Sequence, residues 1–405
     1  MRDPNRTVVI TGAAVLCHLG DDLARIERSL REGQGLPFVR HPPAVEAGSR
    51  CQLLGSYRGE LAAERRQARF MGKAALMAFK AARAALSQSR LERHDIAVVA
   101  GSGTGDVATH VEVQKSLAHA GGPRVSASVI PRMMASTVSA NLATALRTTG
   151  PSFTASAACA GGAYNILLAA ELIEQGHVDA ALAGGAEVAD EHFHVGFDAI
   201  RAFNGQDNEH PERASRPYAK DRAGFIFGEG AGMVVLETKA AAEARGAQVL
   251  GALAGYGMSS DGTGDMVCPT AEGAFAAMER ALRHAGVAPE QIDYVHTHGT
   301  STVIGDVTEV RALRRLFAGR RVPYSSTKGY IGHTISAAGA INAIFTLSML
   351  RGGWIAPCIN AEPLDPELED YPPVVRPTER SMRLALSNSL GFGGTNVSLV
   401  LARAR

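Results

Sequence analysis

Ala160-Gly161-Gly162-Ala163-Tyr164-Asn165 returns later in the chain, altered but in register, as Ala337-Ala338-Gly339-Ala340-Ile341-Asn342. Each hexapeptide opens an apolar helix, Gly162 to Gln175 and Ala338 to Leu350, and each helix ends near a glycine, Gly176 and Gly353. A second pair of segments precedes them in the same order. Arg83 to Thr104 runs through a helix, a loop, the strand Asp95-Ile96-Ala97-Val98-Val99 and then Gly103-Thr104; Arg280 to Thr300 runs through a helix, a loop, Ile292-Asp293-Tyr294-Val295 and then Gly299-Thr300. Two matches in one order read as a duplicated βα unit with its junction near residues 238–255, which divides the chain into 1–245 and 246–405. Chance similarity between alanine-rich helices is the competing explanation.

Outward from these segments the same alternation continues. Thr7-Val8-Val9-Ile10, Ile96 to Val99, Ala180 to Ala183, Met233 to Leu236 and Asp293 to Val295 are short runs of strand character. Lys73 to Leu86 and Ala274 to His284 join the two helices above. Strands alternating with helices predict an α/β protein with a mostly parallel sheet covered by helices. With 405 residues, 46% hydrophobic and 20% charged, the chain is long enough for two domains or one large duplicated one. Its net charge of +1 gives no field that demands nucleic acid. No apolar run reaches the roughly 18 residues of a membrane span. The apolar stretch Thr7 to Leu19 follows basic residues, so a signal peptide is an alternative to a first buried strand. The five cysteines, Cys17, Cys51, Cys159, Cys268 and Cys358, are far apart and form no CxxC pair; this argues against a disulfide framework or structural zinc and for a reducing cytoplasm.

Cys159 lies in Thr154-Ala155-Ser156-Ala157-Ala158-Cys159-Ala160-Gly161-Gly162, among small residues and just before a helix. A thiol there meets the positive end of the helix dipole, which favours thiolate. The first N–H groups of the helix lack internal partners and can bind an oxyanion. A buried, inert thiol is the alternative reading. His298 follows a strand in Val295-His296-Thr297-His298-Gly299-Thr300-Ser301-Thr302, and His333 precedes a helix in Ser326-Thr327-Lys328-Gly329-Tyr330-Ile331-Gly332-His333. Both occupy glycine-flanked connections, where α/β folds place reactive groups. By the internal repeat, Ser336 is the equivalent of Cys159, so His333 lies three residues before it, and a two-fold relation between halves would bring the two helix starts together.

At these residues the chain resembles the thiolase superfamily, and within it the elongating β-ketoacyl-acyl-carrier-protein synthases. The resemblance runs from Val8-Ile10-Thr11-Gly12 to Ser387-Asn388-Ser389-Leu390-Gly391-Phe392-Gly393-Gly394-Thr395-Asn396. Between them lie Ser156 to Cys159, Ser215 to Tyr218 with Gly228 to Gly232, His298 to Thr302 with Gly305-Asp306, and Ser326 to Lys328 with Gly332-His333. It implies a thiolase-like fold of duplicated αβαβα halves, with mixed five-stranded sheets sandwiched between helices. It implies decarboxylative Claisen condensation: Cys159 takes the acyl chain as a thioester, and His298 and His333 stabilise the enolate formed as malonyl loses carbon dioxide. Backbone N–H groups of Cys159 and Phe392 would hold the oxyanion. Lys328 and Glu309 match a charged pair that orders the site, with Glu309 near His333 and Lys328; a purely structural ion pair is the alternative. Thr300 and Thr302 match hydroxyls that bind the phosphopantetheine arm. Phe392 resembles an acyl gate and Phe197 the neck of the acyl pocket. Arg65, Arg66, Arg69 and Arg132 match positions that grip acidic acyl carrier protein, a solvated helix face being the alternative.

The resemblance implies no cofactor and no metal, since substrates travel on the phosphopantetheine of acyl carrier protein. It implies a homodimer, or a heterodimer with a chain-length factor, with no nucleic acid or membrane partner. The pathway is fatty-acid elongation or polyketide and polyene extension. His296 departs from the family, where a small or neutral polar residue is usual; an HxH pair with His298, completed by His333, opens a metal-site alternative that lacks further ligands. Ser336 replaces a frequent glycine, and the loop Asp106 to Glu112 matches weakly. Initiating condensing enzymes carry asparagine at the His333 position. Thiolases need a second C-terminal cysteine, for which Cys358 comes too early, and chain-length factors lack the nucleophile. A nucleotide-binding oxidoreductase is a remote alternative. Gly101-Ser102-Gly103-Thr104-Gly105-Asp106 follows a strand but is not GxGxxG, and Glu112 comes too soon for the ribose acid.

Overall fold

The computed structural model describes residues 6–119 and 124–404. Ten strands form the main sheet: β1 (Val8–Leu16), β2 (Ala97–Gly101), β3 (Ser152–Phe153), β4 (Ala180–Glu187), β5 (Gly230–Thr238), β6 (Gly251–Ser259), β7 (Tyr294–His296), β8 (Tyr324–Ser325), β9 (Leu384–Gly391) and β10 (Thr395–Arg403). Their order is β8-β7-β9-β10-β6-β1-β5-β4-β2-β3. Counted within each half, both sets of five follow one plan: third, second, fourth, fifth, first. The directions repeat as well. β2 is parallel to β3 and β4, as β7 is to β8 and β9, and the fifth and first strands of each half run antiparallel to their neighbours. The duplication expected from two short sequence matches is therefore present strand by strand.

The two five-stranded sheets expected of the halves are joined. The first strands of the halves pair directly, Val9 with Ala252 and Ile10 with Gly251, so a short antiparallel seam joins both sheets. Gly251 permits it: a Cβ there would meet Leu347 Cδ1 at 2.3 Å and the Ala402 carbonyl at 2.7 Å.

β1, β4 and β5 are buried at every position, which is why they read as unbroken apolar runs rather than alternating ones. On one outer face α1 (Lys73–Ser89) packs Met77, Ala78, Ala81 and Ala85 against β1 and β5. On the other, α3 (Ala271–Ala285) covers β6 and β10 with Met278 and Leu282, and α4 (Val303–Leu316) packs against α3, adding Val310 and Leu313 to the same core. Between the sheet halves lie α2 (Gly161–Glu174) and α5 (Ala338–Gly352), the two helices opened by the repeated hexapeptide. Their glycines are required by the crossing. A Cβ on Gly162 would stand 2.8 Å from the Ser336 carbonyl, and one on Gly339 would stand 2.6 Å from Ala163 N. Ile335–Gly352 is long and apolar enough to span a bilayer, contrary to the reading of the sequence, but 89% of it is buried inside the fold, as a core helix between sheets must be. The five cysteines are all free.

Candidate active site

Each half ends its approach to the central helices in the same strained turn. Ala158 opens the 3₁₀ turn Ala158–Ala160 with φ 44°, and Ile335 opens Ile335–Ala337 with φ 42°. Left-handed backbone at non-glycine residues persists only where the surroundings enforce it. In the first half the turn carries Cys159, 6% exposed, at the mouth of α2. Behind it, the Asn165 side chain accepts from Ala155 N and donates to the Gly184 carbonyl, locking the turn to β4. In the second half, His333 precedes the turn. Its N–H donates to the Ile226 carbonyl and its carbonyl accepts from Gly228 N, so His333 is held by strand-like pairing with the other half. His298 follows β7.

These three residues converge. The Cys159 sulfur and ring nitrogens of His298 and His333 lie within 4.8 Å of one another, and the two imidazoles meet edge to face with centroids 5.1 Å apart. Burial, then the nearby Lys328 charge, push both histidines well below the ordinary 6.5. They are neutral imidazoles at physiological pH, each with one N–H to donate. Among the described residues, neither ring nitrogen of His333, nor Nδ1 of His298, has a hydrogen-bond partner.

Cys159 corrects the expectation of a ready thiolate. Burial pushes its thiol up to about 12, against the pull of Lys328 and of the backbone N–H groups of Phe392 and Cys159 itself. The resting sulfur is protonated. The two N–H groups that point at it are those expected to form an oxyanion hole.

Lys328 and Glu309 do not form the expected direct pair. The Lys328 ammonium donates to the His298 carbonyl. Glu309 accepts from His298 N at 2.9 Å, Gly299 N at 3.0 Å and Asn388 Nδ2 at 3.0 Å. The two charges grip the His298 backbone from separate sides, and Glu309 serves His298 rather than His333. Enclosure draws the Lys328 ammonium down to about 8, while Glu309 holds it up. Asn388 escaped the reading of the sequence: nothing in a Ser-Asn-Ser strand reveals that its amide reaches across the sheet.

A cavity of about 280 Å³ opens onto the three groups and is also lined by Phe197, Phe392, Thr300 and Thr302. Thr300 and Thr302 share a hydroxyl hydrogen bond of 2.9 Å on one wall. Phe197 and Phe392 face each other at 5.9 Å, beneath a cluster that includes Phe203 and Phe225. Exposed Met266, Val267, Val303 and Ile304 rim the opening, a feature with no sequence signal because a loop supplies the first two and the start of α4 the others. Arg65, Arg66 and Arg69 are exposed and lie outside the cavity lining. Arg132 is not free as expected: its guanidinium is committed to Asp106 at 3.3 Å and Glu112 at 3.4 Å. His296 stands apart from the cluster, with Nε2 3.2 Å from Thr327 Oγ1, so the HxH pair does not converge on one point.

Known proteins are similar to this chain in sequence and fold. The family model for the β-ketoacyl synthase N-terminal domain matches residues 5–242, and that for the β-ketoacyl synthase C-terminal domain matches 250–362. The chain is 37% identical to 3-oxoacyl-[acyl-carrier-protein] synthase 1 of Escherichia coli K12, over 99% of this chain and 100% of that one. A β-ketoacyl synthase from Burkholderia phymatum superposes with a TM-score of 0.92 at 33% identity, covering 100% of both chains. The ishigamide ketosynthase/chain length factor gives 0.87 at 29% identity, over 99% of this chain and 100% of that one.

Proposed function

The chain belongs to the β-ketoacyl synthase family and is an acyltransferase, and from that premise we propose that Cys159, His298 and His333 perform its decarboxylative condensation. The observation that supports this reading is the meeting of one sulfur with two neutral imidazoles, of which both ring nitrogens of His333 and Nδ1 of His298 have no partner among the described residues. In the first step Cys159 attacks an acyl thioester on acyl carrier protein. The acyl–sulfur bond of the carrier breaks, and the departing pantetheine thiolate takes the Cys159 proton. Malonyl on a second carrier then enters. Its bond to the terminal carboxylate breaks, carbon dioxide leaves, and the electron pair moves into an enolate oxygen held by N–H groups of His298 and His333. The enolate carbon attacks the Cys159 thioester. The N–H groups of Cys159 and Phe392 hold the new oxyanion, which collapses, breaks the acyl–sulfur bond and returns the electron pair to the Cys159 sulfur; the thiolate then takes a proton from water.

In this reading Thr300 and Thr302 bind the pantetheine arm, Phe392 gates the acyl side and Phe197 lines its neck. No step calls for a cofactor or metal. Arg65, Arg66 and Arg69 offer an acidic carrier an exposed basic strip in the cytoplasm. A role as the catalytic subunit beside a chain-length factor is the second reading, favoured by the likeness to the ishigamide pair. Primary fatty-acid elongation and polyene extension share this chemistry, and the acyl chain length accepted distinguishes them.

Cys159→Ala separates the steps. The variant is expected to lose condensation while still releasing carbon dioxide from malonyl carrier protein, because the histidines remain. Condensation at the unaltered rate would reject the assignment.

A further inference from the structure

Beside the nucleophile stands a buried carboxylate that the scheme above does not use. Glu187 closes β4 and is fully enclosed. Its Oε1 accepts from Ser102 Oγ at 2.8 Å and Thr104 Oγ1 at 2.9 Å; its Oε2 accepts from Gly103 N at 2.9 Å and Ser336 N at 3.3 Å. The Ser102 hydroxyl already accepts from Thr104 N and Gly105 N, so its own proton goes to Glu187. Burial pushes the Glu187 carboxyl above its ordinary range, and the four donors oppose that rise; four donors and no acceptor suit the ionised form, which only accepts. Among the described residues no lysine or arginine makes an ion pair with it.

Three of those donors belong to the loop after β2, in the first half. The fourth, Ser336, belongs to the strained turn of the second half, just after His333. That turn also abuts the nucleophile's helix: a Cβ on Gly161 would come within 2.5 Å of Ser336 Oγ, and one on Gly103 would touch both Ile335 and Ser336 at 3.6 Å. We propose that Glu187 is a positioning residue for the condensation, tying the Ser102–Thr104 loop to the Ser336 turn and so fixing the separation of His333 from Cys159. This rests on the roles assigned to those two residues above. The carboxylate is also felt at the sulfur, where it opposes thiolate while Lys328 favours it; neutral His298 and His333 are the other titratable groups facing that atom.

Glutamine is a sharp probe. Its NH₂ must face either two hydroxyls or two backbone N–H groups, and the latter are donors that cannot accept from it. The test compares Glu187→Gln and Glu187→Asp with the unaltered protein, reading condensation kinetics and the pH profile of Cys159 alkylation by iodoacetamide, followed by mass. In Glu187→Gln, kcat is expected to fall by about 10- to 100-fold with KM changed less than about 2-fold. The alkylation midpoint is expected to move to lower pH by about half a unit or more, because a negative charge has gone. Glu187→Asp keeps the charge and the midpoint. An unchanged kcat in Glu187→Gln overturns the proposal, and so does a lowered kcat with an unmoved midpoint, the sign of general loosening. If Glu187→Gln does not fold, Thr104→Val removes one donor and leaves the carboxylate; unaltered kcat in that variant overturns the proposal equally. Should the unaltered protein fail to condense at all, the functional reading falls, and the alkylation profile still judges Glu187.

Discussion

Lys328 is enclosed completely, yet its ammonium is the donor that fixes the His298 carbonyl, and burial draws it down to about 8 from the usual 10.5. The protonated form is the one the site uses. As pH rises through about 8 the charge is lost, so condensation is expected to fall along a basic limb with that midpoint. Because a lowered lysine pKa means the folded state releases the proton more readily than the unfolded chain, this group opposes folding below about 8 and ceases to do so as pH climbs toward 10.5. Both histidines are held well below 6.5, so no acid limb near that value is expected. A pH–rate profile checks all of this, and Lys328→Met should erase the basic limb along with most of the activity; a limb persisting in that variant would assign it to another group. At this scale much was legible in the sequence. Cys159, His298 and His333 stand where small residues and glycines flank element ends. What escaped was whatever depends on a path through space: the left-handed Ala158, the reach of Asn388, the protonated resting state of Cys159, and the attachment of Glu309 to the His298 backbone.

The glycines of the repeated hexapeptide explain why that pattern survived in both halves. α2 and α5 cross so closely that Gly162 and Gly339 have backbone from the other helix or its leading turn where a side chain would begin. Gly339→Ala is expected to cost about 1–3 kcal/mol, the usual penalty for overpacking, read as a lowered melting temperature. Gly246→Ala offers a contrast, since open space surrounds its Cβ position; its left-handed φ of 67° makes any loss there a backbone effect instead. The short helix Arg65–Ala68 belongs to this scale too. Arg65, Arg66 and Arg69 are exposed, and charge reversal by Arg66→Glu is expected to raise KM for carrier-bound substrate by about 10-fold with kcat nearly unchanged, an effect that added salt should imitate. An unmoved KM would reduce the strip to a solvated surface. Helices and strands were readable from their alternation of composition, whereas the pairing of Arg132 with Asp106, just before the helix Val107–Leu117, and with Glu112 within it depends on how two elements meet in space.

Across the whole molecule, the reacting groups are divided between two halves that share one strand plan. Cys159 comes from the first and both imidazoles from the second, and the strained turns that present Cys159 and follow His333 are equivalents in the duplication. The β1–β6 seam and the crossing of α2 and α5 hold those turns together. The duplication was legible from two weak matches because close helix crossings tolerate few residues. The seam was not, because a two-residue ladder leaves no pattern. The account's central claim is that the sulfur of one half and the imidazoles of the other act in one condensation. Intact-mass spectrometry tests it most directly: the protein is mixed with acyl carrier protein bearing an acyl chain, then with malonyl carrier protein. The expected result is an acyl adduct on Cys159 that disappears as a chain two carbons longer, a β-ketoacyl thioester, forms on the carrier with release of carbon dioxide. An adduct on any other residue, or elongation with Cys159 replaced by alanine, would contradict it.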